Sequence, residues 1–428
     1  MRSNRYDYLI VGSGAGGATL AKELAQRRKS VLVVEAGKNE KTIGTLRDAR
    51  RYYDGNRIIS LPRKSKEGVI IWRTLMAGGS TVVSCGNGVR CLEKELGDFG
   101  INLSEEFVQA EQEMHVAPIA ERLLSSGSKT IMLAAKELGY DMKMMPKFID
   151  SKSCRKCGNC VLGCTKGAKW TALGYLEDAI KNGAETIYET RVKEVIIDNG
   201  RVKGIRGIGR QGKKEIFADA VILAAGGIGT PAILQNSGIK DAGAGLFVDL
   251  FVNVYGVTDS DKLNQVFEPT MTLVNLDFHQ TKGFLLSPFV NHPRMTKFIE
   301  LGFRGLTLPD KRTLGIMIKT TDEPIGHVYP DGSISKPVTE KDWERLGEGS
   351  SIAKEILAKA GAKSLMVSKV QGAHPGGTAA IGKIVDKNLQ TKVDGLFVCD
   401  ASILPVTPGL PPILTIVALA KRLAKVLP

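Results

Sequence analysis

The first apolar run, Tyr8-Leu9-Ile10-Val11, predicts a buried strand, and the glycine-rich stretch Gly12-Ser13-Gly14-Ala15-Gly16-Gly17 follows at once. Ala18, Leu20, Ala21, Leu24 and Ala25 then recur at three- and four-residue spacing, the period of a helix with one buried face. A second apolar run from Val31 ends at Gly37, so residues 6–37 read as strand, glycine turn, helix, strand. Residues 38–72 are charged and irregular, with Pro62 and isolated glycines, and read as surface connection. Over 105–139 two helices are expected, broken at Pro118 and at Ser125 to Ser128. A helix around Ala172 to Asn182 comes next, then an alternating strand pair at 186–197 and 201–209 joined by the hairpin signal Asn199-Gly200, then a buried strand from Ala220 to Ala225. From 246 to 340, short apolar runs between turn residues fit an antiparallel sheet better than helices. Gly395 to Pro428 reads as a strand (Leu396-Phe397-Val398), a proline-rich turn and a final helix from about Pro412.

The 428 residues are enough for two to three domains. With 43% hydrophobic and 24% charged residues the chain is neither disordered nor collagenous. Lys and Arg number 59 against 45 Asp and Glu, a net charge of +14 that favours acidic partners. The positive charge is scattered, however, and Arg50-Arg51, Arg63-Lys64 and Lys311-Arg312 are its densest groups. A nucleic-acid-binding arm is therefore not expected. No secretion signal pattern opens the chain and no apolar stretch reaches the length of about 18 residues that suits a membrane span, so a cytoplasmic, soluble protein is expected.

The glycine turn carries chemistry. Gly12, Gly14 and Gly17 occupy the first, third and sixth positions of the dinucleotide fingerprint, between a strand and a helix. The first permits a tight turn, the second lets backbone approach a pyrophosphate, and the third lets helix and strand pack closely. Glu35, at the end of the second strand, is placed to bond a ribose hydroxyl. Position alone does not separate FAD from NAD.

Four of the seven cysteines crowd into Cys154, Cys157, Cys160 and Cys164, while Cys85, Cys91 and Cys399 stand alone. In a reducing compartment such crowding points to metal before disulfides. The spacing C-x2-C-x2-C-x3-C is the ferredoxin-type iron–sulfur run, in which soft thiolates close around iron. A 4Fe-4S cluster is the expected group. Zinc, which more often takes two separated cysteine pairs, is an alternative. The fourth ligand stays open between Cys164, a remote cysteine such as Cys85 or Cys91, and a three-iron cluster, because one run stands alone and Thr165 replaces the proline that usually follows it.

Toward the end, Gly372-Ala373-His374-Pro375-Gly376-Gly377-Thr378, Val393 to Ser402, and Pro411-Pro412-Ile413-Leu414-Thr415 resemble the last part of the glucose-methanol-choline (GMC) oxidoreductases. The fingerprint, Gly78-Gly79-Ser80-Thr81 and Ala225 to Pro231 are similar too, so the resemblance covers the cofactor-binding half. It implies an α/β, two-domain protein: a Rossmann-like FAD domain from discontinuous segments 1–245 and 365–428, with the cysteine segment 151–170 attached, and an antiparallel-sheet substrate domain over 246–364. It also implies that Gly78, Gly79 and Ser80 lie against flavin and pyrophosphate, that Val192 borders the adenine, that Asp400 bonds the ribityl chain, and that Ala401 and Pro411 belong to the cofactor-binding set. His374 falls on the family's active-site histidine, which takes the alcohol proton as hydride leaves for flavin. A buried histidine satisfied by backbone is the alternative. The remaining histidines, His115, His279, His292 and His327, are assigned to structure or surface.

Two departures from the family pattern matter. The second catalytic position, usually His or Asn, is Pro411 here, and the position of a covalent flavin link is Val83, so FAD should be bound non-covalently. Cys85 is expected close to the flavin, as packing or as chemistry. Some relatives carry cysteines in the same segment before a Gly-Ala-Lys like Gly167-Ala168-Lys169, so structural cysteines are the other reading of the run. Trp72, Trp170 and Trp343 read as packing, with Trp170 a partial exception because it follows the cysteines.

The expected activity is hydride transfer between an alcohol or polyol and flavin, with electrons passing through the cluster to an acidic carrier such as ferredoxin or flavodoxin. The alternatives are a carrier-fed reductase of an activated C=C or C=O, and a non-catalytic electron relay.

Overall fold

The computed structural model describes residues 5–56, 61–291 and 294–428, so His292 lies outside the described residues. Among these, one sheet of seven strands runs in the order Arg191–Asp198, Arg201–Gly209, Gly212–Leu223, Arg5–Val11, Val31–Val34, Glu185–Ile187, and Leu396–Val398 also pairs with Gly212–Leu223. Arg5–Val11 is parallel to both neighbours, with Leu9 opposite Val221 on one side and Leu32 on the other. Apolar side chains on both faces of these strands are buried, which is why they read as continuous hydrophobic runs. Helices Ala15–Gln26, Ala172–Lys181 and Ile413–Val426 share that core. The last helix is tied to the first part of the chain by Lys421, whose ammonium meets Glu23 and Glu113 at 2.6 Å each. The Tyr8 hydroxyl donates to the Pro428 carbonyl at 2.5 Å.

The expected strand at 186–197 is two strands. Glu185–Ile187 extends the parallel part of the sheet, and Arg191–Asp198 begins the hairpin. Between them Glu189 has φ +54°, and the Thr190 N–H is drawn back to the Glu35 carbonyl at 3.0 Å. The hairpin turns at Asn199 (φ +50°) and Gly200 (φ +75°), both left-handed as a two-residue turn of this type requires.

A second sheet of eight described strands runs Phe284–Pro288, Thr313–Thr320, Leu250–Thr258, Gln371–Gly372, Ile70–Ile71, Leu61–Lys64, Gly55–Asn56, with Ala362–Val367 paired to Leu250–Thr258. Its central strands are buried on both faces and divide by the two-residue period of a strand. Leu314, Ile316 and Ile318 join Val252 and Val254 in a core with Leu346, Ala353 and Leu357 of helix Glu340–Lys359. Met317, Lys319 and Phe251 face the opposite way, into the cavity described below.

Three expectations fail here for physical reasons. Residues 38–72 are not mere connection: helix Leu46–Tyr52 buries Tyr52 completely, the Tyr52 hydroxyl donates to the Leu162 carbonyl at 2.5 Å, and Ile70–Ile71 lies inside the second sheet. Its arginines mask this, since Arg51 spends its charge outward on Glu40 and Asp48. The 20-residue helix Glu340–Lys359 follows the sheet pattern of 246–340, inside the segment 246–364 expected to form an antiparallel-sheet domain. Its signal is the capping box at Thr339 and Asp342, whose side chains each accept the other's backbone N–H. Gly347 and Gly349 hide its period; a Cβ at Gly349 would stand 2.5 Å from Ile318 Cγ2. In the 105–139 segment, Ser125 caps helix Ser126–Glu137 instead of breaking one, and Ser104–Glu113 precedes it. No helix among the described residues is long and apolar enough to cross a membrane.

Candidate active site

One cavity of about 470 Å³, of small-molecule size, runs from Gly12, Gly14 and Glu35 past Gly79, Ser80 and Val192 to Asp400, Ala401, Pro411 and His374. Gly17 and Gly78 stand behind its wall. The fingerprint glycines divide into two kinds. A Cβ at Gly12 (φ +100°) would lie 2.3 Å from the Ala224 carbonyl oxygen, one at Gly16 1.9 Å from that of Cys399, and one at Gly17 2.0 Å from that of Gly12. These three let helix, turn and strands close. Gly14 has no atom within 4 Å of such a Cβ and looks into the cavity. Gly16 is a packing glycine that the fingerprint spacing alone does not single out.

Glu35 is buried at one end. Its Oε2 accepts from the Ser13 N–H (3.0 Å) and hydroxyl (2.7 Å), and its Oε1 from the Gly37 N–H (2.8 Å). Burial raises its pKa against those donors. Asp400 is bound by the Gly226 N–H (2.8 Å), the Thr230 hydroxyl (2.6 Å) and the Ser402 N–H (2.8 Å), so it holds the turn at that wall of the cavity. Val83 and Cys85 line the cavity, as does Trp72, whose indole N–H donates to Gln371 Oε1 at 2.7 Å. Trp72 is thus a wall residue as well as packing. Trp170 packs edge-on against Phe148 and Tyr175 and lines neither cavity.

At the other end His374 Nδ1 lies 2.7 Å from Asp249 Oδ2, while Asp249 Oδ1 accepts the Gly409 N–H at 3.0 Å. A carboxylate with both oxygens so engaged assigns the imidazole proton to Nδ1 and leaves Nε2 with its lone pair. Asp249 sits at φ +49°, and the Ala373 and His374 N–H groups both donate to the Val248 carbonyl, at 3.0 and 2.9 Å, so neighbouring strands fix both partners. Burial pushes Asp249 up to about 7 and His374 well below its ordinary value, the Lys319 cation also lowering the latter. The pair titrates as a unit. In Asp249→Asn the Gly409 N–H claims the amide oxygen, the amide NH2 faces Nδ1, and the imidazole proton moves to Nε2. Anaerobic stopped-flow should show flavin reduction by substrate slowed about 100-fold, with the acid limb near pH 7 lost. Asp249, Lys319 and Trp72 carried no motif in the sequence; the one available signal was period-two placement of Lys319 beside Met317 on one strand face.

The other histidines have separate places. His279 Nε2 lies 2.9 Å from the Pro408 carbonyl oxygen, His115 ends a helix turn at φ +54°, and His327 lies in a strand.

Strand–glycine turn–helix, a second sheet and a histidine at the junction define a dinucleotide-dependent oxidoreductase. Models of the GMC oxidoreductase family match residues 6–251 and 326–420. The chain belongs to the GMC oxidoreductase family. It is 31% identical to the uncharacterized protein MJ1450 of Methanocaldococcus jannaschii over 98% of this chain and 99% of that one. It is 25% identical to the long-chain-alcohol oxidase FAO4B of Arabidopsis thaliana over 96% of this chain and 66% of that one. Among solved structures, pyridoxine 4-oxidase from Mesorbium loti shares the fold at TM-score 0.75 and 18% identity, covering 98% and 99% of the two chains. Formate oxidase from Aspergillus oryzae shares it at TM-score 0.73 and 17% identity, covering 98% and 97%. The protein is an FAD-dependent oxidoreductase. Its residues fit that cofactor: the open face above Gly14 suits a pyrophosphate, Glu35 a ribose, and the N-terminus of helix Ile413–Val426, which reaches the cavity wall at Ile413, an electron-rich ring.

The cysteine run gives a different result. Cys154, Cys157, Cys160 and Cys164 are free thiols lining one small cavity, and no group of three His, Cys, Asp or Glu side chains among the described residues has metal-holding geometry. Burial in apolar surroundings raises the Cys154 thiol pKa, which keeps it protonated. Cys91 is remote from the run, bonded to Thr415, and burial pushes its thiol up to about 12. Beside the run lie two fully engaged ammonium groups. Lys169 Nζ donates to the carbonyls of Val82 (2.9 Å), Ser84 (2.5 Å) and Cys160 (2.9 Å). Lys147 Nζ donates to the carbonyls of Cys85 (2.9 Å) and Thr270 (2.8 Å) and to Asn87 Oδ1 (2.5 Å).

Proposed function

We propose that this enzyme oxidises a CH–OH group, with His374 as the base and residues 246–364 shaping the substrate side, and that four cysteines carry the electrons on through an iron–sulfur cluster. The observation behind the first part is the His374–Asp249 pair at the end of the cavity opposite Glu35. FAD supplies the two-electron acceptor when bound. His374 Nε2 takes the hydroxyl proton, Asp249 holds the ring and its charge, and the apolar walls Phe251, Phe289 and Met317 exclude water. A long-chain-alcohol oxidase and a pyridoxine 4-oxidase among the similar proteins support the substrate class.

The second part rests on charge. Lys147 and Lys169 are buried, among the described residues no carboxylate stands in ion-pair reach of either, and burial lowers both while Cys160 and Cys85 beside them act the other way. A cluster held by four thiolates would give these cations their counter-charge. Lys169 bonds Ser84 on one side and Cys160 on the other, and Ser84 lines the main cavity, so a two-centre route is short. Exposed Lys152, Arg155 and Lys166 surround exposed Cys157, a surface suited to an acidic carrier such as ferredoxin or flavodoxin in the reducing cytoplasm. Anaerobic purification should yield flavin with roughly four iron and four sulfide per chain and a reducible paramagnetic signal, and Cys160→Ser should lose the iron while keeping FAD. Flavin without iron or sulfide would discard the cluster and leave the oxidoreductase reading intact.

A further inference from the structure

Lys319 is 3% exposed and lines the main cavity, on the same strand face as Met317. Among the described residues no hydrogen bond or ion pair reaches its Nζ. Its neighbours account for their own charges. Asp249 is engaged by His374 and the Gly409 N–H. Glu300, on the same cavity, accepts from the Tyr255 hydroxyl (2.5 Å), Asn291 Nδ2 (2.5 Å) and Asn253 Nδ2 (3.2 Å). Cys85 is a free thiol. A buried ammonium with three unused donors is costly unless an acceptor meets it, and an anion meets it best. Lys319 pairs across the sheet with Phe251, two residues from Asp249, and lines the same cavity as His374.

We propose that Lys319 is a carboxylate anchor and that the substrate is a hydroxy acid, its carboxylate on Lys319 Nζ and its carbinol at His374. This rests on the oxidation of CH–OH proposed above and names its substrate class. In the reaction the O–H proton passes to His374 Nε2, the C–H bond breaks with its electron pair going to FAD, and the C=O bond of an oxo acid forms; two electrons and two protons leave the substrate. Lys319 also supplies a polar group in a cavity where Pro411 stands in place of the family's usual His or Asn.

The test uses FAD-loaded enzyme without turnover. Oxalate, a carboxylate probe that this chemistry does not oxidise, and its neutral isostere oxamide are titrated against the flavin absorption spectrum. Oxalate should bind at least about tenfold tighter than oxamide, and Lys319→Met should weaken oxalate by about 30-fold while leaving oxamide unchanged. Lys319→Gln serves if the Met variant loses FAD, and Lys319→Arg should restore much of the affinity. Equal binding of the two probes, or oxalate affinity unchanged in the variants, overturns the anchor. So does a loss confined to the rate of flavin reduction by neutral alcohols, which would make Lys319 a stabiliser of the alkoxide. Because oxalate binding needs no turnover, its outcome is independent of whether His374 is the base.

Discussion

Replacing His374 by Ala should slow anaerobic flavin reduction by substrate about 10³-fold, with FAD still bound. The expectation follows from position: the imidazole has its Nδ1 committed to Asp249 at 2.7 Å, its backbone N–H committed to Val248 and its ring on the cavity, so Nε2 is the ring nitrogen left to act as a base. Truncation to Ala also leaves the buried Asp249 carboxyl with only the Gly409 N–H. His374→Asn separates the two effects, since its side-chain amide can still donate to Asp249. Both variants should lose the rate, and the Asn variant should keep wild-type thermal stability. If His374→Asn reduced flavin at the wild-type rate, the histidine would be structural; if electrons still passed between external carriers while substrate failed, the relay would be intact and only the chemistry lost.

The second large effect concerns the fingerprint. Gly16→Ala places a methyl 1.9 Å from the Cys399 carbonyl oxygen, and backbone on both sides must move to admit it. We expect a stability loss of roughly 3 kcal/mol or more, seen as a fall in Tm, and loss of FAD as a consequence. Gly14→Ala should behave oppositely. Its φ is −71°, which any residue adopts, and its Cβ would enter open space, so the apoprotein should melt normally while FAD affinity falls. Equal stability of the Gly16 variant would mean that the close approach of helix and terminal strand is not required.

Much of this was legible in the residues because it is local. The strand–turn–helix at 5–26 announces itself through a continuous apolar run, glycines at fixed spacing and a helical period, all within one stretch of chain. His374 was legible because the residues around it resemble a family. Asp249 and Lys319 were not, because nothing near either in sequence marks it; they meet His374 only through pairing of strands distant in the chain. The helix at 340–359 was hidden by glycines, one of which lets it lie on Ile318, and the buried roles of helix Leu46–Tyr52 and strand Ile70–Ile71 by the charged residues around them, such as Arg51. The cysteine spacing is legible as a pattern, but among the described residues the four thiols line one small cavity without metal-holding geometry.

The joining of the two ends of the chain has a consequence for synthesis. Arg5–Val11 is made long before its partners: the carbonyl that closes on Gly16 belongs to Cys399, the same cavity is lined by Asp400, Ala401 and Pro411 to Ile413, and the helix that shares a core with Ala15–Gln26 is Ile413–Val426. That segment therefore waits, with its apolar face uncovered, while the residues up to 396 are translated. Residues 250–320 can pair among themselves in the meantime. A growing chain stalled before residue 396 would lack the Cys399 carbonyl and the last helix, and would be a client for chaperones and not yet a flavoprotein.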